Sequence, residues 1–375
     1  MAEHHLHIIS FDVPWPASYG GVIDVFYKMK ALHSLGVKIH LHCYEYGRKP
    51  APELEAITEE VIYYPRRVAK SNLFKRQPYI VASRNGSELL KNLLKDDYPI
   101  LFEGLHSCYY LSAPELANRT KIVRAHNVEH EYYNKLGEAE RNIFKRYYFM
   151  NEAQKLERFE SELSHATAIA AISPAEYHHF QSLYGNTFYL PAFHAQNHVT
   201  SLEGSGEYAL YHGNLSVAEN DQAAIYLVKQ VFSRISIPLV IAGNDPSKEL
   251  KDLVLQYPHI SLRRNVSVAQ IEKLVSEAHI NVLPTFQGTG IKLKLLNALY
   301  NGRHCIVNNT MVEGTGLEEL TIVAEKAEEM AIQVESTMKE PFTASMKARR
   351  EEVLKEKFSV KSSALMLFQR LYEGR

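Results

Sequence analysis

The sequence is poor in cysteine, in long apolar runs and in surplus charge. Its three cysteines, Cys43, Cys108 and Cys305, lie far apart and are odd in number, which excludes a disulfide framework and fits a reducing cytoplasm. Lysine and arginine number 42 against 43 acidic residues, a net charge of -1, whereas a dedicated nucleic-acid binder normally has a basic surplus. Apolar runs such as 166–172 and 237–243 are far too short to cross a bilayer. We therefore expect a cytoplasmic protein with no nucleic-acid partner.

Several common catalytic signatures are also absent. The chain has no G-x-S-x-G elbow, no Walker A loop and no C-x-x-C or H-E-x-x-H metal motif. What is present is the composition of a folded globular protein, 46% hydrophobic and 23% charged. At 375 residues the chain is long enough for two or three domains.

Strand and helix patterns alternate along the chain. Residues 4–11 read as a strand, a loop rich in proline and glycine follows, and 22–34 carries apolar residues at helical spacing. Gly36 ends that helix, and 37–44 reads as the next strand. This βαβ order predicts a parallel sheet covered by helices.

A second cycle of the same pattern predicts a second domain of the same kind. We expect an N-terminal Rossmann-like domain over 1–196, a linker over 197–206 and a C-terminal Rossmann-like domain over 207–355. The last segment, 356–375, has the apolar spacing of a helix. This helix suits packing on either half, and we expect it to pack back on the N-terminal domain.

The most informative stretch is 283–307, where a predicted strand is followed by the turn G-T-G and a helix over 291–300. Two glycines let backbone N–H groups approach a ligand, and the start of a helix favours an anion. Lys292 and Lys294 fall in the first helical turn, where the dipole disfavours cations unless an anion lies near. The pattern predicts a phosphate site, and the alternative is a tight turn with two solvated lysines.

The motif G-T-G-I-K-x-K-L-L-x-A-L-x-x-G resembles the donor-binding segment of retaining GT-B glycosyltransferases related to glycosyltransferase family 4. It is most similar to the branch whose motif reads G-(small)-G-I-K-x-K. Further matching segments occur in the same order along nearly the whole chain, at 20–21, 102–107, 124–133, 211–220, 241–243 and 265–284. The resemblance implies an α/β protein of the GT-B fold, with two Rossmann-like domains facing each other across a cleft.

In function, the resemblance implies transfer of a hexose from a nucleotide sugar to a glycan or lipid-linked acceptor, with retention, in bacterial surface polysaccharide or glycoconjugate synthesis. The second domain would hold the donor and the first the acceptor. No metal or other cofactor is expected, because basic side chains and helix dipoles can carry the leaving-group charge. Two alternatives stay open: a catalytically weakened GT-B protein that binds nucleotide sugars or acts as a scaffolding subunit, and a sugar-nucleotide epimerase.

The resemblance also assigns individual residues. His106 matches the histidine that lies beside the donor sugar, His126 is the second candidate, and Lys294 is the third residue expected at the chemistry. The residues expected to bind the donor are Gly20, Gly21, Asn214, Gly243, Val266, Gly288, Thr289, Gly290, Ile291, Lys292 and Asn297. Of these, Val266 marks the main chain on which the base would rest.

The chain departs from the family pattern at three positions. Most relatives carry two glutamates where this sequence has Thr289 and Asn297, and an arginine where it has Asn214. Asn297 can bond ribose hydroxyls, but without the charge-assisted bond of a glutamate, which is about twice as strong. We infer that Lys292 and Lys294 take over the charge neutralisation. The same losses suit the catalytically weakened alternative.

Most of the eighteen histidines are expected to be surface or packing residues. His106 stands out because it follows a predicted strand within a matching segment. His194, near the predicted linker, is a further candidate for the cleft. Glu129 and Glu131 are expected to hold local structure or ion pairs rather than to transfer protons.

One basic segment carries a separate signal. The segment 66–76 spans eleven residues, contains no acidic residue and carries five basic ones: Arg66, Arg67, Lys70, Lys75 and Arg76. Apolar residues are interleaved with them, as in segments that bind anionic membrane surfaces. Because the segment belongs to the predicted acceptor domain, we expect peripheral association with the inner membrane face. The alternative is a solvated loop.

Overall fold

The computed structural model describes residues 3–140, 142–286 and 292–374. The chain forms two compact units. The first runs to Ala195 and takes up the C-terminal stretch from Val360, and the second runs from Gln196 to Ser359. Within the described ranges, no helix is long and apolar enough to cross a membrane.

The first unit is built on a parallel sheet of seven strands in the order β3-β2-β1-β4-β5-β6-β7. The strands are β1 His4–Ser10, β2 Val37–Glu45, β3 Glu60–Pro65, β4 Ile100–Glu103, β5 Lys121–Ala125, β6 Ala168–Ala171 and β7 Thr187–Tyr189. The central strands β4 and β5 are buried along their whole length. Such burial is typical of a parallel sheet covered on both faces.

Helices cover both faces of this sheet. They are α1 Gly20–Ser34, α2 Tyr79–Ala82, α3 Ser87–Leu93, α4 Glu129–Ala139, α5 Ile143–Glu160 and α6 Pro174–Tyr184. One apolar cluster contains Leu6 and Met29, and another contains Phe102 and Leu156. The two clusters show that apolar residues of the sheet pack against helices in two separate layers.

The second unit contains a parallel sheet of six strands in the order β10-β9-β8-β11-β12-β13. Its strands are β8 Ala209–His212, β9 Leu239–Ala242, β10 Ile260–Arg263, β11 Ile280–Val282, β12 His304–Val307 and β13 Ile322–Val323. Its helices are α7 Ala218–Tyr226, α8 Lys248–Val254, α9 Val268–Glu277, α10 Leu293–Asn301, α11 Asn309–Val312, α12 Ala327–Thr337 and α13 Ala344–Lys357. A large apolar cluster that includes Tyr211 and Leu295 joins this sheet to its helices, and a smaller one includes Leu210 and Val275.

Local sequence signals explain several helix ends. Ser267 and Gln270 have the spacing of a capping box at the start of α9, and the structure contains it: the Ser267 side chain accepts from the Gln270 backbone, and the Gln270 side chain accepts from the Ser267 backbone. Helix α6 ends at Gly185 with φ of 71°, a left-handed cap that glycine adopts without strain. Helix α10 begins at Leu293, slightly later than predicted, which makes Lys292 its N-cap residue.

The last helix, α14 (Val360–Tyr372), packs in the first unit against α1. It buries Ala364, Leu367 and Leu371, and the Tyr372 hydroxyl donates to the backbone oxygen of His5 at 2.8 Å. The predicted linker residues, by contrast, pack within the second unit. Ser201 is fully buried there, and its hydroxyl donates to the Gly302 carbonyl at 2.6 Å.

Candidate functional site

Each sheet has one point at which its strand order reverses. In the first sheet β1 lies between β2 and β4, and in the second β8 lies between β9 and β11. At such a point the loops that follow the two central strands run in opposite directions and leave a crevice outside the carboxyl ends of the strands. Ligands of open α/β sheets bind in this crevice, so each unit has one candidate site.

The crevice of the first unit is formed by residues that follow β1, β4 and β5. The ring of Phe11 lies 5.5 Å from that of His106 and 5.7 Å from that of His126. Gly104 has φ of 70°, and a Cβ there would lie 3.1 Å from Nδ1 of His106. The structure thus brings the two predicted histidines together around one aromatic ring.

The two predicted glycines of this unit form the start of α1. The helix begins at Gly20, and a Cβ on Gly21 would come within 2.7 Å of Cζ of Phe11. Gly21 therefore allows the first turn of α1 to approach the aromatic ring that contacts His106 and His126.

His106 lies in an environment that disfavours positive charge. A quarter (25%) of its side chain is exposed, and its buried Nδ1 has no hydrogen-bond partner among the described residues. Burial, together with the charges of Arg84, His126 and Arg66, holds the pKa of His106 well below its usual range. The imidazole is therefore neutral at physiological pH and acts as a hydrogen-bonding group rather than a cation.

A buried carboxyl group lies next to His106. Oε1 of Glu129 is 3.7 Å from Nδ1 of His106 and accepts a hydrogen bond from Nδ2 of Asn127 at 3.5 Å. Burial raises the pKa of Glu129 to about 7, against the opposing effect of the Asn127 hydrogen bond. This side chain therefore gains or loses a proton close to neutral pH.

We expect Glu129→Gln to change how stability depends on pH. The pKa of Glu129 is about 7 in the folded protein. It is about 4.3 in an unfolded chain, so the folded state binds the proton more tightly and loses stability as pH rises between these values. The substitution removes this loss, which is on the order of 2–3 kcal/mol. Urea unfolding of both proteins between pH 5 and 8 (about the window of this titration) measures the difference, and a difference that does not vary with pH would contradict the assignment.

His126 is held by a buried network of ion pairs. Asp24 Oδ2 lies 3.2 Å from Nε2 of His126 and 2.8 Å from Nζ of Lys28. Arg124 donates to both carboxylate oxygens of Asp24 at 3.0 and 2.8 Å. Oε1 of Glu103 lies 2.9 Å from Nζ of Lys28. Two carboxylates and two cations thus balance one another beside the histidine.

Three members of this network form a group of possible metal ligands within the described ranges. The ligand atoms of Asp24, Glu103 and His126 lie within 4.8 Å of one another. Both carboxylates, however, already hold buried ion pairs to Lys28, and Asp24 holds a second one to Arg124. A metal ion here would have to displace an ammonium group, so we assign the cluster to positioning His126.

The crevice of the second unit contains Lys294, at the start of α10. Its Nζ donates to Oδ1 of Asn220 at 2.7 Å, and Nδ2 of Asn220 donates to the backbone oxygen of Asn214 at 3.0 Å. The same ammonium lies 5.6 Å from the ring centroid of Tyr211. Two predicted donor-site residues, Asn214 and Lys294, are therefore connected through Asn220.

The environment of Lys294 is suited to an anion. Burial lowers the pKa of Lys294, and the negative charge of Glu219 partly offsets that effect. Burial and the nearby Lys294 lower the pKa of His212 to about 3, so this histidine carries no charge at physiological pH. The ammonium is thus withdrawn from water while its described hydrogen-bond acceptor, on Asn220, is an uncharged amide. Such a cation gains strongly from a charged acceptor.

Gly243 and Val266 lie in neighbouring loops of the same sheet edge. A Cβ on Gly243 would overlap the carbonyl oxygen of Gly213 and come within 2.8 Å of Cγ of Leu215. The backbone N–H of Val266 donates to Oδ1 of Asn244 at 3.0 Å. The glycine is therefore required for the close packing of the loops that follow β8 and β9.

We expect Gly243→Ala to destabilise the protein by about 1–3 kcal/mol, because the added methyl group overpacks a contact with rigid backbone. Gly86 provides the matched control, because a methyl group added there would have no atom within 4 Å. Gly86→Ala should change stability by less than about 1 kcal/mol. Thermal unfolding of the two variants measures the effect, and equal midpoints would refute the packing argument.

The remaining predicted donor-site residues are only partly described. Oδ1 of Asn297 accepts hydrogen bonds from Gln196 at 3.3 Å and from Asn301 at 2.6 Å, within the second unit. Lys292 is the N-cap residue of α10. The other four, Gly288, Thr289, Gly290 and Ile291, lie outside the described residues. His194, the further histidine candidate, is buried in the first unit.

The basic side chains of the segment 66–76 lie at the surface of the first unit, with one exception. Nε of Arg66 donates to Oγ of Ser83 at 2.8 Å, and its guanidinium lies 4.0 Å from the ring centroid of Tyr46. Arg66 is therefore partly built into the fold. The exposed members are Arg67, Lys70, Lys75 and Arg76.

The sequence reasoning missed Asn220 and the partners of His126. One pair in this network is recognisable from the sequence. Asp24 and Lys28 stand four residues apart among the apolar positions of α1, and charged residues on an apolar helix face indicate buried partners. Asn220 carries no such signal, because its role depends on Lys294, which lies 74 residues away in the sequence.

Comparison with known proteins identifies the fold. Residues 206–340 match the family model of the group 1 glycosyl transferases. TarM covers 99% of this chain and the chain covers 99% of TarM, with a TM-score of 0.69 and 11% identity. HepE from Anabaena, in complex with UDP and glucose, covers 99% of this chain and is itself fully covered, with a TM-score of 0.67 and 11% identity. The predicted GT-B fold is therefore confirmed.

The chain is also similar in sequence to a 44.6 kDa protein in the cps region of Klebsiella pneumoniae. The two are 27% identical over 327 residues, which is 82% of this chain and 84% of that protein. Together with the family match, these similarities support a glycosyltransferase of the group 1 type. The narrower branch defined by the G-(small)-G-I-K-x-K motif stays a prediction.

Proposed function

We propose that this protein transfers a hexose from a nucleotide sugar to a glycan or lipid-linked acceptor. The observation that carries the proposal is the position of Lys294: a partly buried ammonium beside an uncharged amide, in the crevice of the unit that matches the group 1 glycosyl transferases. A nucleoside diphosphate supplies the charged acceptor that this ammonium lacks among its described hydrogen-bond partners. The relative in a cps region supports a role in bacterial surface polysaccharide synthesis.

The proposed donor site lies at the carboxyl ends of β8, β9, β10 and β11. Lys294 bonds the diphosphate, and Lys292 at the N-cap of α10 adds a second positive charge. The predicted turn 288–291 would provide backbone N–H groups, and the base would rest near Val266. Asn297 lies on α10, where it would serve as a hydrogen-bonding partner for the ribose.

We assign the acceptor to the first unit and propose transfer with retention. His106 is neutral and close to His126, so the His106 ring can exchange hydrogen bonds with sugar hydroxyls without adding charge. The leaving phosphate can take the proton of the attacking hydroxyl, and the lysines stabilise its charge electrostatically. In our proposal the leaving phosphate and the lysines suffice for the transfer, and no metal ion takes part.

The experiment that tests this function follows a panel of nucleotide sugars with and without glycan and lipid-linked acceptors. Mass spectrometry detects both the glycosylated product and the released nucleotide. Product formed only with an acceptor supports the transferase. Binding of a nucleotide sugar without turnover would favour the catalytically weakened alternative. That alternative is motivated by Thr289 and Asn297, which stand where most relatives carry glutamates. Isomerised donor in the absence of acceptor would indicate an epimerase.

A further inference from the structure

Helix α5 carries three large apolar side chains that are unusually exposed. Ile143 is 79% exposed, Phe144 86% and Tyr147 74%. Together they form what we call the α5 ridge. They stand within one turn of one another near the start of the helix. Burying apolar area of this size is favourable, so the ridge gains from any partner that removes it from water.

The basic segment 66–76 adds a further exposed aromatic ring. Its residues Lys70–Phe74 form a short 3-10 helix, at the end of which Phe74 is 90% exposed. Val68, in the same segment, is 56% exposed. An exposed phenylalanine among exposed lysines and arginines is typical of a surface that enters a lipid interface.

The structure joins the basic segment to α5. Nζ of Lys155 on α5 donates to the backbone oxygen of Leu73 at 2.7 Å, next to Phe74. Phe144 and Lys155 lie eleven residues apart and therefore on the same face of the helix, about 16 Å from one another along its axis. The ridge and the basic segment thus belong to one surface of the first unit.

The two segments that form most of this surface carry charge of one sign. The ranges 66–76 and 143–151 together contain seven lysines and arginines and no acidic residue. Lys145 and Arg146 are exposed beside the ridge itself. Acidic residues occur only beyond these ranges; Glu140, for instance, accepts a hydrogen bond from the Asn142 backbone.

We propose that the α5 ridge and the basic segment together dock the protein on an anionic lipid surface, with the ridge and Phe74 entering the interface. The combination of exposed aromatic side chains and uniform positive charge selects this occupant. A protein partner or a second copy of this chain would have to supply a matching acidic surface. The proposal extends the membrane expectation drawn from the basic segment, because it adds the residues that would anchor the protein.

The test is co-sedimentation of the full chain with vesicles of phosphatidylcholine alone or mixed with phosphatidylglycerol, in the absence of nucleotide. The ridge variant carries Ile143→Ser, Phe144→Ser and Tyr147→Ser. The charge variant carries Arg67→Gln, Lys70→Gln, Lys75→Gln and Arg76→Gln, and leaves Arg66 in place because it is part of the fold. The control variant carries Leu255→Ser and Ile332→Ser, two exposed apolar residues of the second unit.

We expect the wild type to bind the anionic vesicles and not the neutral ones. The ridge variant should bind at least about tenfold more weakly, and the charge variant, which loses four charges, roughly a thousandfold more weakly. The control variant should bind like the wild type. All variants should unfold at the wild-type temperature, because the substituted side chains are exposed.

Wild-type binding by the ridge variant, or equal binding to both kinds of vesicle, would overturn the proposal. Sedimentation velocity without lipid identifies the competing occupant. If the wild type self-associates, the ridge variant does not, and vesicle binding is absent, then the ridge is an interface between copies. None of these results depends on glycosyl transfer, so the proposed function can fail or succeed separately.

Discussion

Lys294→Met is expected to weaken binding of a nucleoside diphosphate sugar about 10- to 100-fold, the loss of one charge-assisted hydrogen bond. It should lower kcat/KM further, by about 100- to 1000-fold, because the same charge stabilises the leaving group. Methionine keeps an unbranched aliphatic side chain at this partly buried position and removes the ammonium that lies 5.6 Å from the ring centroid of Tyr211. The unliganded variant should therefore be at least as stable as the wild type. Calorimetric titration and steady-state kinetics measure the two losses.

The matched control for this prediction is Lys229→Met. Lys229 lies in the same unit, but it is about half exposed (48%) and pairs with Glu249 at the surface. The Lys229→Met variant should bind and turn over the donor like the wild type. Unchanged affinity in the Lys294 variant, with the fold intact, would remove this residue from the donor site.

Asp24→Asn is expected to lower the free energy of unfolding by about 3–5 kcal/mol, the cost of breaking a buried ion pair by removing one partner. Asp24 is fully buried and accepts bonds from Lys28 and Arg124, from His126, and from the Phe193 backbone at 2.8 Å. The amide removes one negative charge, which leaves two buried cations facing Glu103 alone. Urea denaturation at neutral pH measures the loss.

The pH dependence of this loss has a definite sign. Burial alone would raise the pKa of Asp24, but the charges of Arg124 and Lys28 hold it well below its ordinary value. Its stabilising contribution is therefore present above about pH 4 and is lost on acidification. The stability difference between wild type and variant should shrink accordingly at low pH.

A surface ion pair provides the control for Asp24. Glu319 pairs with Arg349 at 2.7 Å, and both side chains are about half exposed (45% and 53%). Glu319→Gln should cost less than about 1 kcal/mol. If Asp24→Asn costs no more than Glu319→Gln, the network does not position His126 in the way described.

The fold was accessible from sequence because its determinants are local. The alternation of strand, glycine-ended helix and strand predicted a first βαβ unit, and the predicted strand 37–44 corresponds to β2, Val37–Glu45. The start of α9 is likewise encoded locally, by the capping box of Ser267 and Gln270, which stand three residues apart. Element ends were less accurate: the helix predicted over 22–34 begins two residues earlier, at Gly20.

The electrostatics of the candidate site were not accessible, because they arise between distant parts of the chain. Arg124 reaches Asp24 across 100 positions of sequence, and Lys294 reaches Asn220 across 74. His106 could be placed at the end of a strand, but its neutral state depends on burial and on Arg84. Residue types and spacing predict which groups stand near a crevice, whereas their protonation depends on the tertiary contacts.

The most direct test of the central claim, that the second unit binds a nucleotide sugar, is a thermal-shift panel on the wild type with UDP, GDP, ADP and their sugars. A ligand at a hundred times its Kd stabilises the folded state by about 2.7 kcal/mol, which raises the melting temperature measurably. We expect one nucleotide series to raise the unfolding temperature, and Lys294→Met together with Lys292→Ala to abolish that rise. If no nucleotide shifts the wild type, or if the double variant keeps every shift, the assignment of the donor site is wrong.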